Sequence, residues 1–277
     1  MPLHWPTFFT RLGSAVVFSA IMMLGLLWHA WSFLVLLLAI QALCLREYFR
    51  LMHLIHGSGN TLTWYLSQLG ALGVLLSVFQ LAFLEQSALF ADICLLLVLC
   101  LPVLLLLCNA LPGKRKLQDG LDAIGGLFYI CLPCTLLVSL YAMSWHLPLV
   151  LVLCIWMNDT MAYLVGSFIG KTPFSEISPK KTWEGTAGGA ILTVLGALIA
   201  AYFIPNQSMA IYGAIALCAA VAGTAGDLFE SKLKRLAGVK DSGRLMPGHG
   251  GALDRFDSLL VATPFAFVLV RVLSAFL

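Results

Sequence analysis

Acidic side chains stand at both ends of one polar segment, residues 226–258, whose sequence is GDLFESKLKRLAGVKDSGRLMPGHGGALDRFDS. Asp227 lies near its start. Asp254 and Asp257 lie near its end, three residues apart, so that on a helix they would share one face. Bringing the two ends together would gather the three carboxylates in a small volume. Mg²⁺ prefers such oxygen ligands together with water and substrate phosphates, so the spacing predicts a magnesium site.

Basic residues and glycines surround these acids, and both fit a phosphate-bearing ligand. Lys and Arg side chains would neutralise phosphate charge, and Gly248, Gly250 and Gly251, next to His249, would let the backbone approach a ligand closely. Carboxylates, cations and a glycine-rich loop together indicate metal-assisted phosphoryl or nucleotidyl transfer. The alternative is a solvated loop between two spans, which would explain the charges but neither the glycines nor the placement of the acids.

A second polar segment, SPKKTWEGTAGG, covers residues 178–189. Its proline suits a loop or a first helical turn, which predicts that a helix begins close to Thr182 and Glu184. Lys180 and Lys181 would then stand beside the free N–H groups of the helix N-terminus, an arrangement that binds anions such as phosphate. In the alternative interpretation the two lysines only anchor the chain at a membrane surface.

Two polar residues, Asn158 and Asp159, lie inside an apolar run at residues 147–170. A carboxylate at that depth in a bilayer costs about 2.5–3.5 kcal/mol, so it usually faces a polar cavity and has a function. The alternative is a carboxylate that pairs with a donor on a neighbouring helix for packing alone. Gly166 and Gly170 follow at a spacing of four residues, which permits close helix approach.

The elements that must position these residues are membrane helices. The chain is 61% hydrophobic with a mean hydropathy of +0.96, against about 45–50% apolar residues in typical soluble domains. A span needs about 20 apolar residues, and the sequence predicts an all-α polytopic membrane protein with nine spans, of which the first two form a tight helical hairpin. The spans lie near residues 13–28, 30–45, 62–84, 88–108, 122–144, 147–170, 185–204, 208–229 and 257–276.

The Lys and Arg residues orient these spans, because basic residues near span ends stay on the cytoplasmic side. With the N-terminus inside, all 16 Lys and Arg residues except Arg271 fall in cytoplasmic segments. The pattern predicts a cytoplasmic N-terminus, an external C-terminus, and polar segments at the cytoplasmic face of the inner membrane. Basic loops beside anionic lipid headgroups explain the net charge of +3, so no nucleic-acid partner is expected.

The chain is predicted to form a single membrane domain, residues 1–277. Residues 1–145 are rich in Leu with short polar connections, and we assign them to a scaffold. Acids, glycines and basic residues crowd into residues 146–277. The second half is therefore predicted to carry the active site.

Residues 231–257 resemble the signature of the phosphatidate cytidylyltransferases, also called CDP-diacylglycerol synthases. That signature has S-x-x-K-R, a short spacer, K-D, P-G-H-G-G and D-R-x-D, and every part occurs here in order. NDTMAYLVGSFIGK and SPKKTWEGTAGG also resemble less stringent motifs of the family. The resemblance is close over residues 158–258 and only architectural over the first half. Ser167 departs from it, because family members often have a basic residue there, and Lys171, one turn later, is the candidate substitute.

The resemblance implies a Mg²⁺-dependent nucleotidyl transfer in which CTP and phosphatidic acid give CDP-diacylglycerol and pyrophosphate. It also implies that Asp227 and Asp254 are metal ligands with Asp257 close by, and that the protein is a homodimer, whose contacts we assign to residues 1–145. Asp159 is assigned to a second cation or to ordering of the cavity. A role of His249 as general base is not required, because the lipid phosphate is already a competent nucleophile.

Charge and position extend the assignment to the substrates. Lys180, Lys181, Lys234 and Arg235 are predicted to contact phosphate oxygens of CTP or of the lipid. Lys240, Asp241 and His249 are predicted to complete the triphosphate pocket and are counted among the catalytic residues with Asp227, Asp254 and Asp257. The remaining predicted substrate-binding residues are Ser178, Thr182, Glu184, Ser231, Gly250, Gly251 and Arg255.

Other functions fit part of the pattern. A secondary transporter for an anionic solute would explain an intramembrane acid at Asp159, but the repeated halves expected of it are not visible in the sequence. A CDP-alcohol phosphotransferase, or another membrane enzyme that transfers phospholipid groups, also uses acids on membrane helices. DGLDAIGG at Asp119, however, lacks the Ala-Arg of the D-G-x-x-A-R pattern. Formation of CDP-lipid by the purified protein would separate these functions.

Overall fold

The computed structural model describes residues 5–57, 61–83, 114–175, 177–204, 207–245 and 250–276. Throughout these ranges the regular secondary structure is helical, with one isolated antiparallel bridge between Pro173 and Thr182. The α-helices are α1 (Trp5–Leu27), α2 (Ala30–His56), α3 (Thr61–Phe83), α4 (Lys114–Gly126), α5 (Leu132–Met143), α6 (His146–Ile169), α7 (Trp183–Phe203), α8 (Met209–Leu236) and α9 (Leu253–Ser274).

Six helical stretches in the described residues are long and apolar enough to cross a membrane, which confirms the predicted all-α polytopic membrane fold. One of them, Leu117–Met143, combines α4, the π-helical segment Leu127–Cys131 and α5. Every predicted span in the described ranges coincides with a helix, whereas the span predicted at residues 88–108 lies outside those ranges. The number of nine spans and the orientation stay predictions. The other five stretches are Ala30–His56, His146–Ile169, Trp183–Phe203, Met209–Leu236 and Leu253–Ser274.

The chain divides into two compact units. The first consists of Met1–Ala142 and Leu236–Phe256, and the second consists of Met143–Arg235 and Asp257–Leu277. The glycine-rich part of the signature thus groups with the N-terminal helices, although it comes late in the sequence. The assignment of residues 1–145 to a scaffold and of residues 146–277 to the active site stays a prediction.

Helices α1 and α2 of the first unit form the expected tight hairpin. The turn is capped at His29, whose Nδ1 accepts a hydrogen bond from the Trp31 N–H at 3.2 Å, while the Ser32 hydroxyl accepts one from the His29 N–H at 3.0 Å. Gly25 permits the close approach, since a Cβ there would lie 2.6 Å from Leu36 Cδ2. The buried face of α2 carries large apolar side chains, and the helix ends at Gly57 with φ +65°.

Helices α6 and α7 of the second unit pack through small residues. A Cβ on Gly185 would lie 2.7 Å from the Ala162 carbonyl oxygen, and a Cβ on Gly189 would lie 2.8 Å from Ala162 Cβ. Gly166 faces Gly185, where its added Cβ would be 3.5 Å from the Gly185 Cα, and Gly170 faces Thr182. The predicted close approach at Gly166 and Gly170 is confirmed, and it fixes the loop between the two helices.

Candidate functional site

The loop between α6 and α7 places Lys181 beside Asp227 of α8, and the two side chains form an ion pair. The loop folds back on itself, because the Phe174 N–H donates to the Lys181 carbonyl at 2.8 Å and the Trp183 N–H donates to the Thr172 carbonyl at 3.0 Å. The side chains of Lys181 and Asp227 keep 32% and 30% of their surface exposed. The pair is therefore accessible to a ligand in solution.

Glu184 holds this loop at the start of α7. Its carboxylate accepts hydrogen bonds from the backbone N–H of Lys171 at 3.2 Å, from the N–H of Thr172 and from the Thr172 hydroxyl at 2.8 Å. Thr182 caps the helix, with its hydroxyl accepting from the Gly185 N–H at 3.2 Å, so α7 begins where the sequence predicted. Glu184 thus binds protein backbone, and its predicted contact with substrate stays a prediction.

Two other predicted substrate-binding residues of this loop, Ser178 and Lys180, differ in exposure. Lys180 is exposed, whereas Ser178 is half-buried and its carbonyl accepts from the Lys181 N–H at 3.0 Å. The hydroxyl of Ser167, where the family pattern often has a basic residue, donates to the Leu164 carbonyl of its own helix at 2.7 Å, and Lys171 is exposed.

Three acidic side chains of the second unit, on three different helices, interact with one another. Asp257 of α9 is 6% exposed, its carboxyl contacts that of Asp227, and Asp159 of α6 lies within electrostatic reach. Gly226 explains the contact between α8 and α9, because a Cβ there would lie 2.5 Å from the Asp257 carbonyl oxygen. Asn158, the neighbour of Asp159, is 3% exposed and its amide donates to the Thr224 hydroxyl at 3.5 Å.

These acids do not by themselves form a compact metal-binding group. In the part of the chain that the structure describes, no three His, Cys, Asp or Glu side chains are close enough together to hold a metal ion. The Asp227 and Asp257 carboxyls do form a contacting pair, and Mg²⁺ needs only one or two carboxylates when water and phosphates supply its other ligands. The donor set therefore fits a magnesium ion that is completed by a phosphate-bearing substrate.

A second ion pair follows on the last turns of α8. Lys234 Nζ lies 2.5 Å from Glu230 Oε2, four residues earlier, and the Glu230 side chain is fully buried while that of Lys234 is 13% exposed. Ser231 is half-buried and Arg235 is exposed in the same turns. Of the basic residues predicted here to bind phosphate, Lys234 is thus engaged with a buried acid, whereas Arg235 presents its side chain to solvent.

In the first unit the backbone of the signature loop wraps around Asp254. Its Oδ2 accepts hydrogen bonds from the Ser242 N–H at 3.0 Å, the Ser242 hydroxyl at 3.0 Å and the Gly251 N–H at 2.7 Å. Gly250 has φ +82°, a conformation that glycine adopts without strain. Lys240, Asp241 and Arg255 are exposed. Of the residues that the sequence placed in this loop, Gly248 and His249 lie outside the described residues.

Glu47 of α2 is a residue of this region that the sequence analysis missed. Its carboxylate accepts hydrogen bonds from the Ser242 hydroxyl at 2.7 Å, the Ala252 N–H at 3.0 Å and the Leu253 N–H at 2.9 Å. A signal was present, because an acid within a long apolar helix is costly unless it is bound. Asp254 belongs to the first unit and Asp227 to the second, so the predicted convergence of these two acids stays a prediction.

The second unit contains helices able to cross a membrane and pairs of acidic and basic side chains, and the first unit contains a glycine-rich loop; these features describe a membrane protein with side chains suited to a phosphate-bearing ligand. The chain matches the sequence model of the cytidylyltransferase family over residues 9–273, and it belongs to that family.

Three similar relatives are named phosphatidate cytidylyltransferase. That of Synechocystis sp. is 44% identical over 121 residues, which cover 43% of this chain and 41% of the relative. Those of Staphylococcus aureus and Bacillus subtilis are 43% and 46% identical over 127 and 125 residues, covering 49% and 45% of those proteins. The chain thus spans less than half the length of these curated relatives in the matched segments.

Proposed function

We propose that this protein is a phosphatidate cytidylyltransferase, which transfers CMP from CTP to phosphatidic acid and releases pyrophosphate. Membership of the cytidylyltransferase family and the shared name of its relatives support this activity. The observation that carries the proposal is the group of Lys181, Asp227 and Asp257, three ionisable residues from separate segments of the second unit that lie together among apolar helices. A water-borne nucleotide and a lipid headgroup could both reach such a place.

The reaction requires positioning and charge neutralisation rather than a covalent intermediate. A phosphate oxygen of phosphatidic acid forms a bond to the α-phosphorus of CTP, and the bond from that phosphorus to the departing pyrophosphate oxygen breaks. The lipid phosphate is already anionic, so the protein need not remove a proton from it. Lys181 and Arg235 would neutralise phosphate charge in this scheme, and holding the two reactants in line supplies most of the rate enhancement.

Magnesium is the cofactor that these acids fit. Asp227 and Asp254, with Asp257 close by, would hold it, and Asp159 would bind a second cation or order the cavity. When bound, the ion supplies electrostatic stabilisation of the phosphate oxygens. Lys181 is paired with Asp227 in the structure, so in this proposal the lysine exchanges the carboxylate for a nucleotide phosphate when substrate and Mg²⁺ arrive together.

The remaining predicted residues surround this centre in the proposal. Their basic side chains, hydroxyls and backbone N–H groups would supply positive charge and hydrogen bonds to the triphosphate and to the lipid phosphate, whereas the carboxylates of Glu184 and Asp241 would take part through the loops that carry them; His249 is given no obligatory proton transfer. The set consists of Ser178, Lys180, Thr182, Glu184, Ser231, Lys234, Lys240, Asp241, Gly250, Gly251 and Arg255.

We further propose that the chain crosses the inner membrane nine times, with its N-terminus in the cytoplasm, its C-terminus outside and its site at the cytoplasmic face. The support is the distribution of Lys and Arg, of which only Arg271 would fall on the external side. The proposal includes a homodimer formed through residues 1–145. Cysteine labelling of the segments between spans, from each side of sealed vesicles, tests the orientation.

Product analysis of the purified protein tests the activity. The protein in lipid nanodiscs is incubated with labelled CTP, phosphatidic acid and Mg²⁺, and the lipid extract and released pyrophosphate are measured. Equal amounts of CDP-diacylglycerol and pyrophosphate are expected. An anion transporter would form no CDP-lipid, and a different lipid transferase would form product only with another acceptor or donor; either result would reject the proposed activity.

A further inference from the structure

A carboxylate on α2 holds the two ends of the signature loop together. Glu47 Oε2 accepts from the Ser242 hydroxyl at 2.7 Å and from the Leu253 N–H at 2.9 Å, and Glu47 Oε1 accepts from the Ala252 N–H at 3.0 Å. We call Glu47 and these three donors the Glu47 clamp. Hydrogen bonds to a charged acceptor are stronger than those to a neutral one, so the clamp fixes where the loop begins and where α9 starts.

Two glycines are shaped to this carboxylate. A Cβ added to Gly243 would lie 2.0 Å from Glu47 Oε1, and a Cβ added to Gly251 would lie 2.2 Å from Glu47 Oε2. Any larger residue at either position would displace the carboxylate or the loop. The backbone therefore approaches Glu47 as closely as it can, which explains two glycines of this segment without any ligand.

The clamp also connects Glu47 to Asp254. Ser242 is fully buried, and its hydroxyl lies 2.7 Å from Glu47 Oε2 and 3.0 Å from Asp254 Oδ2. The Ser242 hydroxyl can donate to only one of the two carboxylates at a time. The backbone N–H groups of Ser242 and Gly251 donate to Asp254 in either case. Glu47 holds the segments on either side of those two donors. The orientation of the Asp254 carboxylate thus depends on the segments that Glu47 holds in place.

We propose that Glu47 is a positioning residue for Asp254: by holding Ser242, Ala252 and Leu253 it fixes the carboxylate that the proposed function assigns to magnesium. This inference rests on the proposed function for its kinetic consequence, but the clamp itself can be measured without turnover. Residues that orient a metal ligand typically change metal affinity or activity by about 10- to 100-fold when they are replaced.

The experiment uses Glu47→Gln, which keeps the size of the side chain and replaces one acceptor oxygen by a donor NH₂ group. The full-length protein in nanodiscs is assayed at varied Mg²⁺ and CTP concentrations. We expect the Mg²⁺ concentration at half-maximal rate to rise by about tenfold or more, with partial recovery of the rate at high Mg²⁺. A role in stability alone would lower the yield of folded protein and leave that half-saturation concentration unchanged.

Hydrogen–deuterium exchange provides a readout that needs no catalysis. The amides of Ala252 and Leu253 are expected to exchange faster in Glu47→Gln than in the wild type, because both donate to the carboxylate. Arg46→Gln, at the neighbouring exposed position of α2, is the matched control and should leave exchange and Mg²⁺ dependence unchanged. Unchanged exchange in Glu47→Gln overturns the proposal, and so does faster exchange together with an unchanged Mg²⁺ dependence.

A double-mutant cycle gives a second, independent test. The three atoms nearest to a Cβ on Gly243 all belong to Glu47, so Gly243→Ala should raise the Mg²⁺ requirement of the wild type but add little to the effect of Glu47→Ala. Additive effects of the two changes would contradict the clamp. If the wild-type protein forms no CDP-lipid, the proposed function fails, and the exchange rates alone then decide whether the clamp exists.

Discussion

Replacing Asp227 by Asn tests the proposed site most directly, because the change removes one charge and almost no volume. Asp227 forms an ion pair with Lys181 and contacts the carboxyl of Asp257. In the proposed function it also holds Mg²⁺, so its loss should affect the transition state rather than the fold. We expect turnover to fall by at least about 100-fold, the effect of removing one electrostatic group from an active site.

The exposure of the ion pair limits the loss that is expected if Asp227 serves only the stability of the fold. The side chains of Lys181 and Asp227 are about one-third exposed, and ion pairs of that kind contribute at most about 1 kcal/mol. An energy of that size corresponds to about a fivefold change, whereas 100-fold corresponds to about 2.7 kcal/mol. The loss expected from a structural role and the loss expected from a metal-binding role therefore differ by more than tenfold in rate, which an ordinary product assay resolves.

The assay compares wild type and Asp227→Asn in identical nanodiscs, measuring labelled cytidine in the lipid extract per amount of monodisperse protein. Asp122→Asn is the control. Asp122 lies on α4, where its carboxyl contacts His56 Nδ1 at 2.9 Å and accepts from the Gln118 amide at 3.0 Å, so this change also removes a paired charge. Asp122 has no role in the proposed site, so we expect Asp122→Asn to keep activity close to that of the wild type per amount of monodisperse protein. Activity of Asp227→Asn above one-fifth of wild type, or equal losses in both variants, would refute the reasoning.

Three further outcomes are expected. Asp254→Asn should likewise stop turnover while membrane insertion and yield stay as in the wild type, and substantial remaining activity would rule out an essential ligand. Chelation of Mg²⁺ should stop product formation, and added Mg²⁺ should restore it; an undiminished rate in excess chelator would reject the metal role. Gly185→Ala should lower the melting temperature and cost about 1–3 kcal/mol, because its Cβ would lie 2.7 Å from the Ala162 carbonyl oxygen. Gly73→Ala, whose Cβ would meet no atom within 4 Å, should not.

The helices and their close contacts could be predicted from the sequence because they follow from local composition. Apolar runs define the spans, and the spacing of Gly166 and Gly170 permitted the close approach of another helix, which the structure shows to be α7 at Gly185. The start of α7 could also be predicted from adjacent residues, because Pro179 is followed by the capping residue Thr182. Each of these features depends on residues within a few turns of one another.

The partners of individual charges could not be predicted in the same way. Glu47 binds Ser242, a residue 195 positions later, and no periodic pattern connects the two. Glu230 and Lys234 are four residues apart, a spacing that puts them on one face of a helix, but the spacing does not reveal that they pair and that Glu230 is fully buried. From the sequence alone, a lysine in such a signature could bind a phosphate or pair with an acid of the same protein. Only the burial of its partner in the structure distinguishes the two roles.

The acids of this protein differ in what they bind, and this difference indicates which of them a ligand can reach. Glu47 and Glu184 accept hydrogen bonds from backbone N–H groups, which a substrate could not replace without unfolding a loop. Asp227 instead binds a flexible, partly exposed lysine. Because such a pair contributes at most about 1 kcal/mol, a triphosphate can take over the lysine at small cost. The exchangeable pair of Lys181 and Asp227 therefore belongs where the chemistry is proposed, and Glu47 and Glu184 each hold a loop of their own unit.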